Sequence, residues 1–474
     1  MNRDNSINRL ATAPVGRLLW EYSLPGVVGM LVVALYNVVD RMFIGHVVGP
    51  EAIAGLALTF PLMNITTAIG VLVGVGSASR VSIALGRGDR RTAELILGNA
   101  LTLTLVNAAI YIAVFTAFID PILRVFGAGD ATLPYAREYM LWVMPGLLMT
   151  NVSFGFNNIM RASGYPVKAM VTMLIGAVAN VALDSIFVYE FGWGMRGAAL
   201  ATDIAMALSG WFVMAHFCRR RHTLAFAGMS TLRLRGAVVL GVISIGAAPS
   251  VINVASCLIN ALINRTLVAI GGDLAIGAAG IFVTYTSLLT TLTLGICMGL
   301  QPILGYNYGA GHMHRLRRAF WLAVASATVI CTMGEIVGLT LPGYIARAFT
   351  TDDVLIESTV NCLQLCLWAF ATVGFQVVAT SLFQSIGNAR ASIFLSLARQ
   401  VLFLIPLLLW LPGRLGVDGV WLSFPLSDTI TLVVTAIMVW REFRILQAAQ
   451  RIPTPAVHEG TADAPAAAAE PARD

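Results

Sequence analysis

The sequence predicts an all-α integral membrane protein with twelve transmembrane helices, arranged as two homologous six-helix lobes around a central cleft. Three observations predict this fold class. Of 474 residues, 58% are hydrophobic and only 11% are charged, whereas soluble proteins carry about 25% charged residues. Apolar segments of about 20 residues or more, long enough to cross a bilayer, recur along the chain. Sequence features of the first half also return in the second half at a constant spacing.

The apolar segments are separated by clusters of Gly, Pro and Arg, and they predict twelve spans. Several exceed the length that a bilayer requires, so we expect them to tilt or to extend beyond the membrane. The predicted spans cover residues 18–45, 51–84, 91–118, 131–160, 166–190, 194–218, 236–269, 274–304, 315–341, 353–385, 389–411 and 416–444.

The spans divide the chain into five parts. A cytoplasmic N-terminal segment (1–17) precedes an N-terminal lobe (18–218), and a basic cytoplasmic linker (219–235) joins it to a C-terminal lobe (236–444). The remaining residues, 445–474, end in "ADAPAAAAEPARD". A segment so rich in Ala and Pro cannot bury a core, so we expect a disordered cytoplasmic tail.

The distribution of positive charge predicts the orientation. Arginines cluster in loops on one side of the predicted membrane, for example Arg87, Arg90 and Arg91 after the second span and Arg315 and Arg317 after the eighth. Positive charge is retained on the cytoplasmic side during insertion. The expected location is therefore a bacterial inner membrane with both termini in the cytoplasm. The net charge of +6 then reflects topology, and no nucleic-acid partner is needed to explain it.

An internal repeat relates the two halves. The second span ends in "VSIALGRGDRR" and the eighth in "ILGYNYGAGHMHR". Aligning Gly86 with Gly309 gives a spacing of 223 residues, and the same spacing carries Gly76 onto Gly299. Two six-helix halves cross the membrane in the same direction, so their axis lies along the membrane normal with a cavity between them. Such repeats commonly transport by alternating access, and one chain supplies a complete cleft, so a monomer is expected.

Three motifs resemble the multidrug and toxic compound extrusion (MATE) family, in particular its bacterial DinF-like branch. They are "LYNVVDRMFIGH" (35–46), "RASGYP" followed by "AVANVALDSIFV", and "GMRGAALAT" (194–202). The resemblance covers about residues 15–445. It implies two six-helix lobes with an outward-opening cleft. It also implies antiport, in which cationic or amphipathic organic molecules leave as H⁺ or Na⁺ enters.

Acids within the spans are few, and each is costly at a helix centre, by about 2.5–3.5 kcal/mol on insertion scales. On the fifth helix, Asn180 and Asp184 are four residues apart and therefore share a face. Asp40 lies near the end of the first helix, and Thr202 follows the small-residue run "GAALA", which permits close helix approach. Together these four residues offer carboxylate, amide and hydroxyl oxygens.

This oxygen set suits H⁺ or Na⁺. Two neighbouring carboxylates in a low dielectric cannot both stay ionised, so one would hold a proton, and the same oxygens could bind Na⁺. The resemblance implies the same site, because in one MATE branch the acids that match Asp40 and Asp184 couple transport, with matches at Asn180 and Thr202. The alternative is a hydrogen-bond network that only ties helices together.

The second half offers fewer acids. Another MATE branch places essential acids on helices 7 and 10, where this chain has none within the membrane, and the position aligned with Asp184 is Leu407. Coupling is therefore assigned to the N-terminal lobe. We expect Glu335 to be the one deep acid of the second half and a local partner. Asp203 is expected to face away from Thr202 and to be structural.

A hinge and a substrate surface are also predicted. Pro25 removes a helix hydrogen bond, and the resemblance implies that bending of the first helix at this proline follows protonation; a static kink is the alternative. An adaptable apolar surface with few polar groups suits varied cargo. The candidate substrate contacts are Met30, Tyr36, Asn37, Asn157, Met173 and Met206.

Three other functions fit the sequence less well. A lipid-linked precursor flippase of the same superfamily would need cationic residues along the cleft, yet we expect almost no arginine in the helix interiors away from their ends. An enzyme would need a nucleophile or a metal cluster, and the histidines and cysteines lack such spacing. A channel would lack alternating states. The sequence therefore predicts a transporter without a cofactor, whose partners are small organic substrates and membrane lipids.

Overall fold

The computed structural model describes residues 3–47, 50–130, 132–219 and 222–451, and within them the chain is helical apart from short connections. Twelve long helical elements follow one another, and a short helix, Arg3–Thr12, precedes them. They are α1 Val15–Val47, α2 Pro50–Gly86, α3 Arg90–Val125, α4 Leu133–Ala162, α5 Pro166–Glu190, α6 Gly194–Cys218, α7 Gly236–Ile270, α8 Gly272–Gly309, α9 Met313–Thr340, α10 Asp353–Cys366 with Ala371–Ser385, α11 Ala389–Leu415 and α12 Val417–Arg451.

These elements are those of a membrane protein. Within the described residues, ten helices are long and apolar enough to cross a bilayer, and the two pieces of α10 form an eleventh candidate span. The remaining long element, α4, has 30 residues. The all-α fold class is therefore confirmed. Because lipid offers no hydrogen-bond partners, each span satisfies its own backbone as a helix.

Two helices differ from the predictions: α10 has the predicted bounds but is not continuous, and α12 extends into the predicted tail. The predicted span 353–385 is broken, and its two helices meet at an angle of 58°. The side chain of Glu335 explains the break, because its Oε2 accepts the backbone N–H of Ala371 at 2.6 Å and satisfies the new helix start. The predicted tail also begins too early, since α12 continues to Arg451. Residues 452–474 lie outside the described residues.

The repeat of the sequence reappears in the structure. Several helices of the second half begin 223 residues after their counterparts, as α9, α11 and α12 do relative to α3, α5 and α6. The starting residues are Arg90 and Met313, Pro166 and Ala389, and Gly194 and Val417. These three pairs of helices are therefore structural counterparts in the two lobes.

Glycines hold the two lobes together at the end of the molecule that carries the arginine-rich loops, here called the arginine-rich end. Gly86 on α2 abuts the carbonyl oxygen of Tyr306, and Gly309 on α8 abuts that of Ile83. Adding 223 to Gly86 and Ile83 gives Gly309 and Tyr306, so the two contacts are equivalent by the repeat. A Cβ at either glycine would overlap the facing backbone. Small residues are what permits such close helix packing in membranes.

Polar contacts reinforce this end. The hydroxyl of Ser23 on α1 donates to the carbonyl of Ile296 on α8 at 3.2 Å. The guanidinium of Arg80 on α2 donates to the carbonyl of Ala237 at the start of α7, also at 3.2 Å. The lobes are thus closed against each other at the arginine-rich end.

The linker between the lobes packs on α3. The Asn99 amide nitrogen donates to the carbonyl oxygens of Thr231 and Arg233, and its oxygen accepts the N–H of Arg235 at 2.8 Å. One buried side chain on the N-terminal lobe therefore fixes the segment that leads into the C-terminal lobe.

Candidate functional site

The predicted coupling residues on α5 and α6 lie together. Asn180 and Asp184 are buried one turn apart on α5, with 1% and 0% of their surfaces exposed. The Asn180 amide nitrogen donates to the Thr202 hydroxyl on α6 at 3.2 Å. Within the described residues, the Asn180 amide oxygen has no hydrogen-bond partner. A buried carboxylate, an orphaned amide oxygen and a hydroxyl are thus placed on two facing helices.

The local backbone changes directly after Asp184. The regular α-helix ends at this residue, and residues Ser185–Glu190 form a π-helical turn. Such turns inside α-helices occur frequently at functional sites. The other half of the predicted site is on α1, where the side chains of Asn37 and Asp40 lie outside the described residues. Their position relative to Asp184 remains a prediction.

A narrow cleft with an accessible volume of about 10 Å³ lies within the N-terminal lobe and is lined by α1, α4, α5 and α6. Four of the six predicted substrate contacts line it, whereas Met30 does not. Its lining residues are Val33, Tyr36, Ser153, Phe154, Asn157, Met173, Gly176, Met206 and Ser209. Pockets for drug-sized ligands occupy about 300–1,000 Å³, so this cleft would have to widen to hold one.

The polar groups of the cleft are largely engaged. The Asn157 amide nitrogen donates to the carbonyl of Ala169 at 2.7 Å, and its oxygen accepts from the Arg161 guanidinium. The Ser153 hydroxyl donates to that of Ser209 at 2.8 Å. Asn157 therefore lines the cleft with its hydrogen bonds already made. The adaptable part of the surface is thioether and aromatic, as expected for varied cargo.

Asp203 has a different environment from its neighbour Thr202. Its Oδ2 accepts the backbone N–H of Gly146 on α4 at 3.1 Å. A Cβ at Gly146 would overlap this carboxylate, so the glycine permits the approach. On α6, Thr202 thus faces α5 and Asp203 faces α4, and Asp203 joins two helices of the lobe.

The C-terminal lobe holds an ion pair that the sequence did not lead us to expect. Arg399 on α11 donates from Nε to Oδ1 of Asp428 on α12 at 2.7 Å, and only 5% of Asp428 is exposed. The amide nitrogen of Gln376 on α10 donates to the backbone carbonyl of Asp428 at 2.9 Å. One expectation was therefore wrong, because Glu335 is not the one deep acid of this half. Arg399 is an exception to the expectation that the helix interiors hold almost no arginine.

A signal for this pair was present in the sequence. Arg399 interrupts the apolar run "ASIFLSLARQVLFLIPLLLW", and Asp428 interrupts "WLSFPLSDTITLVV". Opposite charges in consecutive spans offset each other's burial cost, and such intramembrane pairs commonly mark function.

Pro25 lies inside α1 close to the lobe contact. The next residue, Gly26, is so near α8 that a Cβ there would lie 2.5 Å from the carbonyl oxygen of Gly295. The predicted hinge therefore adjoins the closed interface, and any bending of α1 at Pro25 would change the packing between α1 and α8.

Comparison with known proteins gives the family. A family model described as MatE matches the chain twice, over residues 25–186 and 239–410. The chain belongs to the MATE family. The two matches also fall one in each lobe, as the internal repeat requires. Members of the family are transporters and need no cofactor.

Several relatives of this MATE protein are known. The chain is 26% identical over 430 residues to a FAD transporter of Shewanella oneidensis, covering 89% of this chain and 93% of that protein. It is 24% identical over 438 residues to the multidrug export protein MepA of Staphylococcus haemolyticus, covering 92% and 96%.

Solved structures have the same fold. The MATE multidrug transporter DinF-BH superposes with a TM-score of 0.84 at 34% identity, covering 91% of this chain and 96% of that one. A MATE transporter in an outward-facing conformation superposes with a TM-score of 0.87 at 22% identity, covering 93% and 98%. The twelve-helix architecture of two lobes is thus that of MATE transporters.

Proposed function

We propose that this MATE transporter is a secondary active multidrug efflux antiporter, which exports cationic or amphipathic organic compounds in exchange for H⁺ or Na⁺. Asp40, Asp184, Asn180 and Thr202 form the proposed ion-coupling site. The proposed location is a bacterial inner membrane, with the arginine-rich end and both termini in the cytoplasm. The protein is proposed to act as a monomer.

The observation that carries this proposal is the position of the buried polar group relative to the cleft. Gly176 and Met206 line the cleft. Asn180 lies one helical turn after Gly176, and Thr202 lies one turn before Met206. Because α5 and α6 pack against each other, both polar residues are on the same side of the cleft, and Asp184 is one turn beyond. An ion bound there would be about two turns from cargo, or about 11 Å.

This proximity supplies a physical basis for exchange. A carboxylate buried as deeply as Asp184 attracts a cation strongly because little water screens it. When H⁺ or Na⁺ neutralises the site, the attraction of the neighbouring cleft for a cationic cargo falls. Ion entry from outside therefore favours cargo release on that side, and Pro25 is the proposed hinge through which α1 responds.

The driving force is adequate for export. One positive charge that enters through a membrane potential of 100 mV releases about 2.3 kcal/mol. A tenfold concentration step costs about 1.4 kcal/mol. One ion can therefore drive an uncharged cargo through more than a tenfold gradient, and a cationic cargo also requires the chemical gradient of the ion.

The relative named as a FAD transporter favours a second class of cargo. For an anionic cargo, the electrostatic competition described above would not operate, and export would depend on the proposed response of α1 to ion binding. Larger anionic solutes therefore belong in the transport assays beside cationic dyes.

The test is dye transport in vesicles that contain the purified full-length protein, under an imposed pH or Na⁺ gradient. We expect Asp184→Asn and Asp40→Asn to lose gradient-driven transport by at least about tenfold, the cost of 1.4 kcal/mol of ion binding. The gradient that drives the wild type identifies the ion.

Asp203→Asn is the matched control. Asp203 is also an intramembrane acid and adjoins Thr202 in sequence, but it bonds to Gly146 on α4, and an amide oxygen can still accept that N–H. This variant should retain coupled transport. Unchanged gradient-driven transport in both Asp184→Asn and Asp40→Asn would refute the assignment of the site.

A further inference from the structure

The internal repeat relates residues of the N-terminal cleft to chemically different residues of the C-terminal lobe. Adding 223 to the cleft residues Val33, Ser153, Gly176 and Met206 gives their counterparts in the C-terminal lobe. These counterparts are Ser256, Gln376, Arg399 and Thr429. At these four positions the N-terminal lobe has Val, Ser, Gly and Met, whereas the C-terminal lobe has Ser, Gln, Arg and Thr, and Asp428 is next to Thr429.

Arg399 points toward the protein interior. Val401 and Leu402, which are 37% and 51% exposed, mark the outer side of α11. Residues Ala398–Leu404 form a π-helical segment of α11, and from it the Arg399 side chain reaches the buried Asp428 on α12, so it points into the lobe. The next residue, Gln400, accepts a hydrogen bond from Ser256 on α7 at 3.3 Å. Arg399 therefore occupies the inner face that Gly176 occupies in the other lobe.

The ion pair uses only part of the guanidinium. Asp428 accepts from Nε, and within the described residues the terminal nitrogens Nη1 and Nη2 make no hydrogen bond. The Arg399 side chain is 30% exposed, compared with 7% for Asp428. Asp428 thus fixes the orientation of the guanidinium. The two terminal nitrogens, here called the fork, keep their N–H donors accessible.

The N–H donors of the fork lie within the membrane-spanning part of the lobe and require hydrogen-bond acceptors. N–H groups without a partner are costly within the membrane, so the fork is filled by water or by a ligand with paired oxygens. Guanidinium groups bind carboxylates and phosphates through two parallel hydrogen bonds. The pair with Asp428 also balances the charge of Arg399 when no anion is bound.

We propose that Arg399, oriented by Asp428, is an anion-binding subsite of the C-terminal lobe that takes the carboxylate or phosphate group of an organic solute. This inference rests on the proposed efflux function and names a further cargo class, zwitterionic or anionic amphipathic compounds. The cationic or apolar part of such a cargo would contact the N-terminal lobe. The anionic part would bind Arg399.

Equilibrium binding to the purified full-length protein in detergent tests the subsite, with a matched dye pair as probe. The dyes are a cationic rhodamine ester and the zwitterionic rhodamine acid that differs only by hydrolysis of that ester. Arg399→Lys keeps the charge beside Asp428 but removes the fork. We expect it to bind the acid about 10- to 100-fold more weakly, as for loss of a charged hydrogen-bonded contact, and the ester within about twofold of wild type.

Two further variants separate recognition from folding. Arg399→Gln combined with Asp428→Asn leaves no unpaired buried charge and should lose the same preference for the acid. Arg265→Lys makes the same exchange at an exposed arginine of α7 and should bind both dyes like wild type. Equal loss of both dyes in Arg399→Lys, or full retention of the acid, would overturn the subsite.

The readouts also distinguish this inference from the proposed function. Acid binding that depends on Arg399, without gradient-driven transport of either dye, would leave the subsite standing and refute antiport. Anionic lipid is the other source of the same chemistry. If phosphatidylglycerol displaces the acid from wild type in nanodiscs, a lipid headgroup occupies the fork, and the assignment to cargo is overturned.

Discussion

Closure of the lobes at the arginine-rich end depends on glycines, and Gly299→Ala tests this dependence. A Cβ at Gly299 would lie 2.5 Å from the carbonyl carbon of Tyr22 and 2.6 Å from the Cα of Ser23 on the other lobe. Carbon atoms in contact are about 3.5–4.0 Å apart. Helices α1 and α8 must therefore separate by about 1 Å, because both facing atoms belong to rigid helical backbone.

The expected cost follows from this overlap. Overpacking of a close interface costs about 1–3 kcal/mol, whereas Gly→Ala inside a helix gains about 0.5–1 kcal/mol. Gly280 lies on the same helix, and a Cβ added there would have nothing within 4 Å. Gly280→Ala therefore gains the helix stability without the overpacking. The two variants should differ by about 1–3 kcal/mol in the free energy of lobe closure. That is a shift of roughly 5- to 150-fold in the population of the closed state.

Two measurements on the purified protein check this expectation. Thermal unfolding in detergent should give a lower midpoint for Gly299→Ala than for Gly280→Ala. Hydrogen–deuterium exchange should rise around residues 22–26 and 295–302 in Gly299→Ala alone, since those segments face each other. Equal midpoints together with unchanged exchange in the two variants would show that the close approach of the lobes does not limit their closure.

Two further predictions concern local stability. Glu335→Leu leaves the N–H of Ala371 without its acceptor and should destabilise the protein by about 1–3 kcal/mol. Glu335→Gln keeps an acceptor and should lose less stability. Equal thermal unfolding midpoints for both variants and wild type would contradict this prediction. At the start of α3, hydrogen bonds from the Thr92 hydroxyl and then its backbone N–H lower the pKa of Asp89 below its usual range. The ionised cap therefore stabilises the fold above the usual aspartate pKa of about 3.9, and this stabilisation is lost as pH falls through the lowered value. Asp89→Ala should lower the thermal midpoint at pH 7, and its difference from wild type should shrink on acidification; a difference that grows would show that the sign is wrong.

The fold could be predicted from the sequence because its determinants are local. A membrane span must satisfy its own backbone hydrogen bonds, so a long apolar run almost dictates a helix. The repeat needed only the recurrence of residues such as Gly86 and Gly309. Where a long-range contact intervened, the prediction was wrong: the break in α10 depends on a carboxylate from α9, and no property of residues 353–385 alone indicates it.

The candidate site divides in the same way. The spacing of Asn180 and Asp184 placed both on one face of α5, and small residues near Thr202 allowed α6 to approach; helical periodicity was sufficient for these predictions. Periodicity could not show that Asn157 has its amide engaged, because its partners follow only once helices pack.

What the sequence by itself determined is the set of helices, their number and the duplication, since each depends on residues close in the chain or on their repetition. Only the tertiary structure decided which polar side chains meet. Arg399 and Asp428 are 29 residues apart on different helices, and their pairing depends on how α11 and α12 are rotated about their axes. That rotation is set by packing over the whole lobe, so an arginine and an aspartate that look like separate interruptions in sequence become one oriented site in the fold.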